Sequence, residues 1–513
     1  MMGAVGPALQ MPAQELAAGS AELSLEKVSV QISDIATKAL LFDSGTLFVS
    51  DHFRGPEAAF LIDFVRRTYS APEIRKVPAA IITDFIRAKS GKFAVGMDAL
   101  DNREVLREVG ELCRTAGRAG SSDVHMFPDG DRQVVRFKTN GDLVPFEGYS
   151  KEFADQLMAS IFVACDQKES GYLRKKYQQG RMLPEAIGGV PGYEAIRCQW
   201  NPDAQGRSLF LRMQKPLSTY KSLKGLNYKP KQLEMLRRAL STGKGGVLIA
   251  APTNAGKTTT MGMMCLERLA RRPQNGIAIE DPSEYILPMR QFSVNAGDDE
   301  DERRRMFAKA FQALNRSDPD MVLVGEIRGG EVGETVVKIA ASHFLIGSFH
   351  ADNTMEAFPQ LARLGIDEGD VYNSLLFRYL IAQRLIQRLC DRCSVQIDPR
   401  DIDQSFDFQR IASLGVDMSK AKRKGLGCTH CKGTGVTGMF PIVEIIKTSR
   451  DYMKAVQDGD APYVNALLKA KDVYSMADEG IMAIQEGIAD PSYVMSALGE
   501  FEDTDVRFGV QHA

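Results

Sequence analysis

Four short apolar runs stand out in the second half of the chain: Val247–Ala250, Gly276–Ile279, Met321–Val324 and Phe344–Ser348. Each is continuous rather than alternating, and each is bounded by polar or turn residues. A strand buried on both faces reads this way, so the pattern predicts the parallel sheet of an α/β domain over residues 241–385. Upstream the pattern changes. Val134–Lys138 and Leu143–Phe146 alternate apolar and polar residues, and Asn140-Gly141 between them predicts a hairpin turn. Ala195–Gln199 and Ser208–Gln214 read as further strands, joined by a loop of Pro, Asp and Gly. Val105–Ala116 has helical apolar spacing, and Lys151–Lys176 reads as a second helix. Residues 102–240 are therefore expected to form a separate α/β domain. Before it, residues 21–98 combine a helical stretch, Ala58–Tyr69, with a strand, Thr46–Ser50, and predict a small α/β domain. Residues 1–20 are small and polar and read as a disordered leader. Residues 386–440 carry paired cysteines, and residues 441–513 read as a helical tail.

Composition narrows the partners. The 513 residues carry a formal net charge of −2, so no bulk positive field draws in nucleic acid or an anionic membrane. No apolar core of a secretory signal occupies the first thirty residues, and no run approaches the ~18 apolar residues of a membrane span. The expectation is a cytoplasmic protein that meets a membrane only through partners.

The strongest chemistry lies where the first apolar run ends. Ala251-Pro-Thr253-Asn254-Ala255-Gly256-Lys257-Thr258-Thr259 follows a strand and opens a helix. Backbone N–H groups of such a loop, with the helix N-terminus, cradle phosphate oxygens. Lys257 is placed to reach the β- and γ-phosphates of ATP, and the Thr258 hydroxyl to ligate Mg²⁺. Thr253, Asn254, Ala255, Gly256 and Thr259 complete the loop. Ala251 stands where this motif usually has its first Gly, which a negative φ allows. Three more strand ends deliver polar groups to the same sheet edge, where α/β ligands bind. Glu280-Asp281-Pro282-Ser283-Glu284 supplies a carboxylate to orient or deprotonate water. Asp318–Arg328 supplies Glu326 for Mg²⁺ or its water shell. Gly347-Ser348-Phe349-His350 supplies a histidine that could sense the γ-phosphate or couple subunits, while His343 reads more readily as structural.

Eight cysteines divide into two groups. Cys113, Cys165, Cys198 and Cys265 sit in apolar contexts and read as buried thiols. Cys390-x₂-Cys393 and Cys428-x₂-Cys431, with 34 residues between the pairs, suit a tetrahedral structural Zn²⁺ site in a small inserted subdomain. The glycines at 425, 427, 433, 435 and 438 allow the tight turns of a zinc knuckle.

Taken together, these motifs resemble the type II secretion and type IV pilus assembly ATPases, hexameric secretion motors, over roughly residues 102–500. The phosphate loop looks like their Walker A, Ile279–Tyr285 their aspartate box, Asp318–Arg328 their Walker B and Ser342–Asp352 their histidine box. Ala382–Cys390 and Gly427–Gly435 look like the borders of their metal domain. Asp123-Val124-His125 and its strands resemble their second, PAS-like N-terminal domain. The resemblance implies a RecA-like P-loop core that hydrolyses ATP in a homohexamer, beneath an inner-membrane platform protein of a pilus or secretion system. It makes Glu284 the catalytic carboxylate and Glu326 the Walker B glutamate. It also implies that Arg197, Arg212 and Arg316 face a neighbour's phosphates. The chain departs from the family in Gln312 for an Arg, Asn254-Ala255 for Gly-Ser, and Met439-Phe440 for an Arg, which bears on the arginine set. Retraction motors share the core but usually lack the cysteine pairs, so assembly or secretion is favoured, and the N-terminal region looks most like type IVb or conjugative thin-pilus assembly ATPases. The rivals are a nucleic-acid-translocating RecA-type motor, which DNA-stimulated hydrolysis would reveal, and a scaffold that binds ATP without turnover.

Overall fold

Alternate side chains of the central strands enter opposite cores, and that is why their sequences read as unbroken apolar runs. In β11 (Gly245–Ala250), Leu248 and Ala250 pack into one cluster while Val247 and Ile249 pack into another. The same division separates Ile277 and Ile279 from Ala278 in β12 (Gly276–Glu280), and Val322 and Val324 from Met321 and Leu323 in β14 (Met321–Val324). It separates Leu345 and Phe349 from Phe344 and Ile346 in β15 (Phe344–Phe349). Each large side chain buried in this way contributes roughly 1.5–3 kcal/mol of apolar transfer. Helices cover both faces. Lys257–Arg271 and Pro230–Leu240 pack on one side, and Glu300–Asn315, Gly330–Ser342 and Thr354–Arg363 on the other.

The computed structural model describes residues 39–41, 46–50, 62, 65–66, 72–77, 102–168, 171–281, 283–294, 300–398, 400, 405–499 and 506–508. The proposed leader and most of Ala58–Tyr69 lie outside them. Two compact units emerge. One comprises described residues up to Gln214 together with Leu426–Gly435, and the other comprises Lys215–Gly425 with described residues from Val436 onward.

In the second unit the sheet order is β13-β12-β14-β15-β11-β16-β19, with β13 at Arg290–Ser293, β16 at Phe377–Leu389 and β19 at Val436–Lys447. Neighbours from β13 to β16 are parallel, and β19 runs antiparallel to β16. Two expected boundaries move. The segment before 240 belongs here, because Leu217, Leu223, Tyr228, Leu233 and Leu236 are buried against this sheet. β16 also runs unbroken through 385/386, so the cysteine-bearing segment is an insertion between two paired strands of the core sheet. β19 is followed by the helices Arg450–Gln457, Ala461–Ala470, Met476–Gln485 and Pro491–Leu498. Arg507 returns from the tail to form a buried ion pair with Glu444 of β19, 2.6 Å apart.

In the first unit, β1 (Ala39–Leu41), β2 (Thr46–Ser50) and β3 (Glu73–Val77) form a small sheet. A larger antiparallel sheet has the order β6-β5-β4-β10-β9-β8-β7. Its strands are β4 (Asp123–Asp129), β5 (Arg132–Thr139), β6 (Asp142–Ser150), β7 (Gln167–Lys168), β8 (Gln178–Met182), β9 (Ala195–Asp203) and β10 (Gly206–Gln214). Asn140 and Gly141 both take positive φ, 52° and 95°, the geometry of the hairpin expected there. The helix expected over Lys151–Lys176 is shorter. It runs Lys151–Ala164 and stops because Cys165 turns to extended backbone and Gln167–Lys168 pairs with β8. One face of the sheet carries Val124, Met126, Ile196, Cys198, Trp200, Leu209 and Leu211 into a core beneath the helices Asn102–Ala119 and Lys151–Ala164.

Candidate functional site

Parallel neighbours place their carboxyl ends along one edge of the sheet, in the spatial order β12, β14, β15, β11. The side chains that follow these ends meet in that order. Lys257, after β11, lies with Nζ 3.4 Å from His350 Nδ1, after β15. His350 Nε2 lies 2.9 Å from Glu326 Oε1, after β14. The other Glu326 oxygen accepts from Arg328 Nη2 at 2.8 Å, and Arg328 Nη1 is 3.5 Å from Asp281 Oδ2, after β12. Arg303 also pairs with Asp281, at 2.8 Å. The imidazole thus has Nδ1 towards the Lys257 ammonium and Nε2 towards the Glu326 carboxylate.

Lys257 begins the helix Lys257–Arg271, and the residues before it turn back sharply. Asn254 and Gly256 take φ of 63° and 80°. A Cβ at Gly256 would stand 3.1 Å from Gln383 Nε2, so both the conformation and the close packing call for glycine there. Ala251 lacks a positive φ and is fully buried, so its methyl group fits where a glycine is usual. The Lys257 ammonium donates to Ala251 O at 2.7 Å and Pro252 O at 2.9 Å, which holds it over the loop. Thr253, Asn254 and Ala255 form the turn itself. Thr258 is the second residue of the helix, and Thr259 Oγ1 bonds with Tyr285 OH at 2.8 Å.

Electrostatics separate the two central charges. Burial pulls the Lys257 ammonium down to about 8, with Arg384 and Arg328 adding to the effect and Glu326 and Glu284 opposing it. Burial works to raise the Glu326 carboxyl, yet Arg328, with His350 and Lys257, outweighs it and holds the group below the usual carboxylate range. Glu326 is therefore an ionised oxygen ligand beside a hydroxyl-bearing helix start, a donor set that suits Mg²⁺. Glu284 lies on the loop after β12, half-buried, and its charge reaches both Lys257 and Glu280. Glu280 itself is buried, raised by that burial, and tied to Gln291 at 2.9 Å. Of these two glutamates, Glu284 is the less buried and the one whose charge bears on Lys257.

Other expected residues lie elsewhere. Arg316 follows the helix Glu300–Asn315 and is exposed at the opposite sheet edge, where Asn275 bonds Ser317 and Asp320 ahead of β12 and β14. It is not brought to this chain's own loop. His343 sits at that same far edge, at the start of β15, bonded to Ser342. Arg197 and Arg212 are cross-strand neighbours on β9 and β10, on the sheet face away from the apolar core. Arg212 pairs with Asp123 at 3.0 Å, and Arg181 on β8 is opposite Arg197. Asp281 and Arg328 join the site without a role predicted for them from the sequence. Their positions one and four residues past strand ends were the available signal.

The two cysteine pairs come together as expected, with ligand atoms of Cys390, Cys393, Cys428 and Cys431 within 4.8 Å of one another. The backbone N–H groups of Cys428 and Gly435 donate to Cys431 Sγ at 3.1 and 3.2 Å, which fixes the position of that sulfur. A Cβ at Gly425 would stand 1.7 Å from Cys393 O, so the knuckle closes only around a glycine. Four soft donors in this arrangement could hold a metal ion. Cys113, Cys165, Cys198 and Cys265 are free and buried. Among the described residues, no helix is long and apolar enough to cross a membrane.

Residues 98–498 match the family described as type II/IV secretion system protein, and the chain belongs to that family. It is similar to the type IV pilus assembly ATPase PilB of Thermus thermophilus, 25% identical over 445 residues, which are 85% of this chain and 47% of that protein. It is also similar to the type II secretion system protein HxcR of Pseudomonas aeruginosa, 27% identical over 394 residues and 76% of each chain. The chain thus spans about half the length of the first relative and three quarters of the second. The solved Yersinia pseudotuberculosis ATPase DotB shares the fold, with a TM-score of 0.51 at 14% identity over 80% of this chain and 97% of that one.

The depressed Lys257 gives a pH signature. Unliganded, Lys257 loses its proton as pH rises through about 8, and bound phosphate charge restores it. ADP·Mg affinity is therefore expected to fall as pH rises past that value. Titration calorimetry at about pH 9, in buffers of different ionisation enthalpy, should show proton uptake on binding that vanishes at about pH 7. No buffer dependence at the higher pH would mean that Lys257 does not face the phosphates.

Proposed function

We propose that this family member is an ATP-hydrolysing motor that powers assembly of a type IV pilus or a type II secretion pseudopilus from the cytoplasmic face of an inner membrane. The observation that carries the reading is the unbroken run Lys257–His350–Glu326–Arg328–Asp281 across four strand ends, next to a loop shaped for phosphates. The names of the relatives, a pilus assembly ATPase and a type II secretion protein, supply the process.

The residues divide the chemistry among themselves. The loop Thr253–Thr259 holds the β- and γ-phosphates through its N–H groups, with Lys257 neutralising their charge. Mg²⁺, when bound, supplies further charge neutralisation and would be held by Thr258 and the water shell beside Glu326. Glu284 orients the attacking water and accepts its proton. His350 touches both Lys257 and Glu326, so γ-phosphate loss changes its environment directly. Arg328 and Asp281 keep Glu326 oriented. Lys257→Ala should abolish phosphate release in a folded chain, and Glu284→Gln should bind ATP normally yet turn over about two orders of magnitude more slowly. If Lys257→Ala turns over like the parent, the assignment fails. If only Glu284→Gln does, the base is Glu280 or Glu326.

The working form is a homohexamer that engages an inner-membrane platform protein and reaches the membrane only through it. Arg197 and Arg212 act in trans on a neighbouring copy's γ-phosphate, since an added guanidinium stabilises its spreading charge. Their place on the polar face of a separate sheet, outside the loop that binds phosphate, supports such a role. Mixing Lys257→Ala chains with Arg212→Ala chains, each inactive alone, should restore partial hydrolysis, because some interfaces then pair an intact loop with an intact arginine. Arg197→Ala is tested in the same way. Mixtures that co-assemble and stay inactive would show that these arginines do not act between subunits.

The four-cysteine site holds Zn²⁺ in a closed, purely structural shell. Chain purified without chelators should carry about one zinc, lost in Cys390→Ser or Cys428→Ser along with order in the inserted segment. Elemental analysis finding no zinc in the parent chain would refute this.

A further inference from the structure

Beneath the phosphate loop lies a polar cluster that the phosphate chemistry above does not use. Tyr228, Thr260 and Gln383 are 5%, 2% and 1% exposed, and they come from three separate segments. Tyr228 precedes the helix Pro230–Leu240, Thr260 lies in the first turn of the helix Lys257–Arg271, and Gln383 lies in the middle of β16. Tyr228 OH donates to Gln383 Oε1 at 2.7 Å, and Thr260 Oγ1 reaches the same oxygen at 3.0 Å. The two hydroxyls are 2.7 Å apart. With its oxygen occupied by hydroxyl donors, the amide has one orientation left, which sends Nε2 to Ala255 O at 2.5 Å.

That last bond has a consequence for phosphate binding. Ala255 C=O and Gly256 N–H belong to one planar trans peptide unit, so their directions are opposed. A donor that holds the carbonyl towards Gln383 turns the Gly256 N–H the opposite way, away from Gln383. Gly256 is in the left-handed region at φ 80°, where a loop without this tether has the freedom to flip the peptide. Burial raises the Tyr228 hydroxyl above its usual range, so it remains a donor across the working pH span.

We propose that Gln383 is a positioning residue for nucleotide binding, fixing the Ala255–Gly256 peptide so that its N–H faces the phosphates, and that Tyr228 and Thr260 fix the Gln383 amide in turn. The proposal rests on the ATPase reading of the loop. It goes beyond that reading by assigning the loop's shape to a residue on a strand 128 positions away in sequence. An N–H that contacts a phosphate present in both ground and transition states strengthens both equally, so its loss raises KM and leaves kcat.

The test uses the full chain with two substitutions that keep volume, Gln383→Met and Tyr228→Phe. Each is compared with the parent by melting temperature without nucleotide, by ADP·Mg dissociation constant, and by KM and kcat for ATP. Gln383→Met should weaken ADP·Mg about tenfold and raise KM in proportion, with kcat within about twofold, as expected for one lost uniform contact. Tyr228→Phe leaves Thr260 as the remaining donor and should weaken ADP·Mg about threefold. If Gln383→Met fails to fold, the Tyr228→Phe value decides alone. A variant with a lower melting temperature but parental ADP·Mg affinity makes the cluster merely structural and overturns the proposal. A parent chain that binds no ADP·Mg overturns the nucleotide reading itself, and this proposal with it.

Discussion

The whole second unit follows from one constraint, that its central strands are covered on both faces. In β11, β12, β14 and β15 such burial leaves no exposed face for charge, so charged groups are confined to the strand ends. Parallel pairing then gathers the carboxyl ends of β12, β14, β15 and β11 on a single edge. The phosphate loop, Asp281, Glu326 and His350 occur along one edge because each supplies the first polar groups after a buried strand. The opposite edge receives the leftovers of the same rule: the carbonyls of Ser317 and Asp318 accept from Asn275, and His343 bonds with Ser342.

Within that edge, a weakened cation and a strengthened anion stand beside each other. Lys257 is partly desolvated and its ammonium is costly, so a ligand that brings negative charge is favoured at that spot. Glu326 has the reverse balance, since Arg328 holds it ionised against burial. A carboxylate kept charged in this way serves a cation better than a proton. His350 joins the two, and Arg384 anchors the loop that carries it by binding Asp352 Oδ1 at 2.9 Å and the Asp352 carbonyl at 2.8 Å. Gln383 and Arg384 are adjacent on β16. One holds the phosphate loop and the other holds the histidine loop, so a single strand sets the spacing of both.

Much of this was legible in sequence, for identifiable reasons. The four buried runs could be read because two-sided burial leaves them almost wholly apolar. The phosphate loop and the cysteine pairs could be read because their chemistry fixes local spacing. What could not be read depends on pairing between distant segments. No local spacing links Gln383 to Ala255, or Tyr228 to Thr260. Arg316 and Arg328 flank the same apolar run, Met321–Val324, yet Arg316 precedes it at the far edge and Arg328 follows it at the site. The overlong helix beginning at Lys151 is a similar case. Gln167–Lys168 has no strand signature of its own and is extended because β8 pairs with it.

The insertion with the cysteines illustrates how a local site can serve a distant one. Leu389 of β16 pairs with Val436 of β19, and Cys390 follows the first while Cys431 lies five residues before the second. Everything between these strands must leave the sheet and return to the same register. An unrestrained loop of this length pulls on its stem through chain entropy, and the cost of closing it grows only slowly with length, so tying its ends recovers most of it. Thiolates at both ends of the insertion can provide that tie where a metal joins them. The strand kept in register is the one that carries Gln383 and Arg384. A metal held by the four cysteines would thus support the register of the strand that packs against the phosphate loop, at a distance from that loop's chemistry.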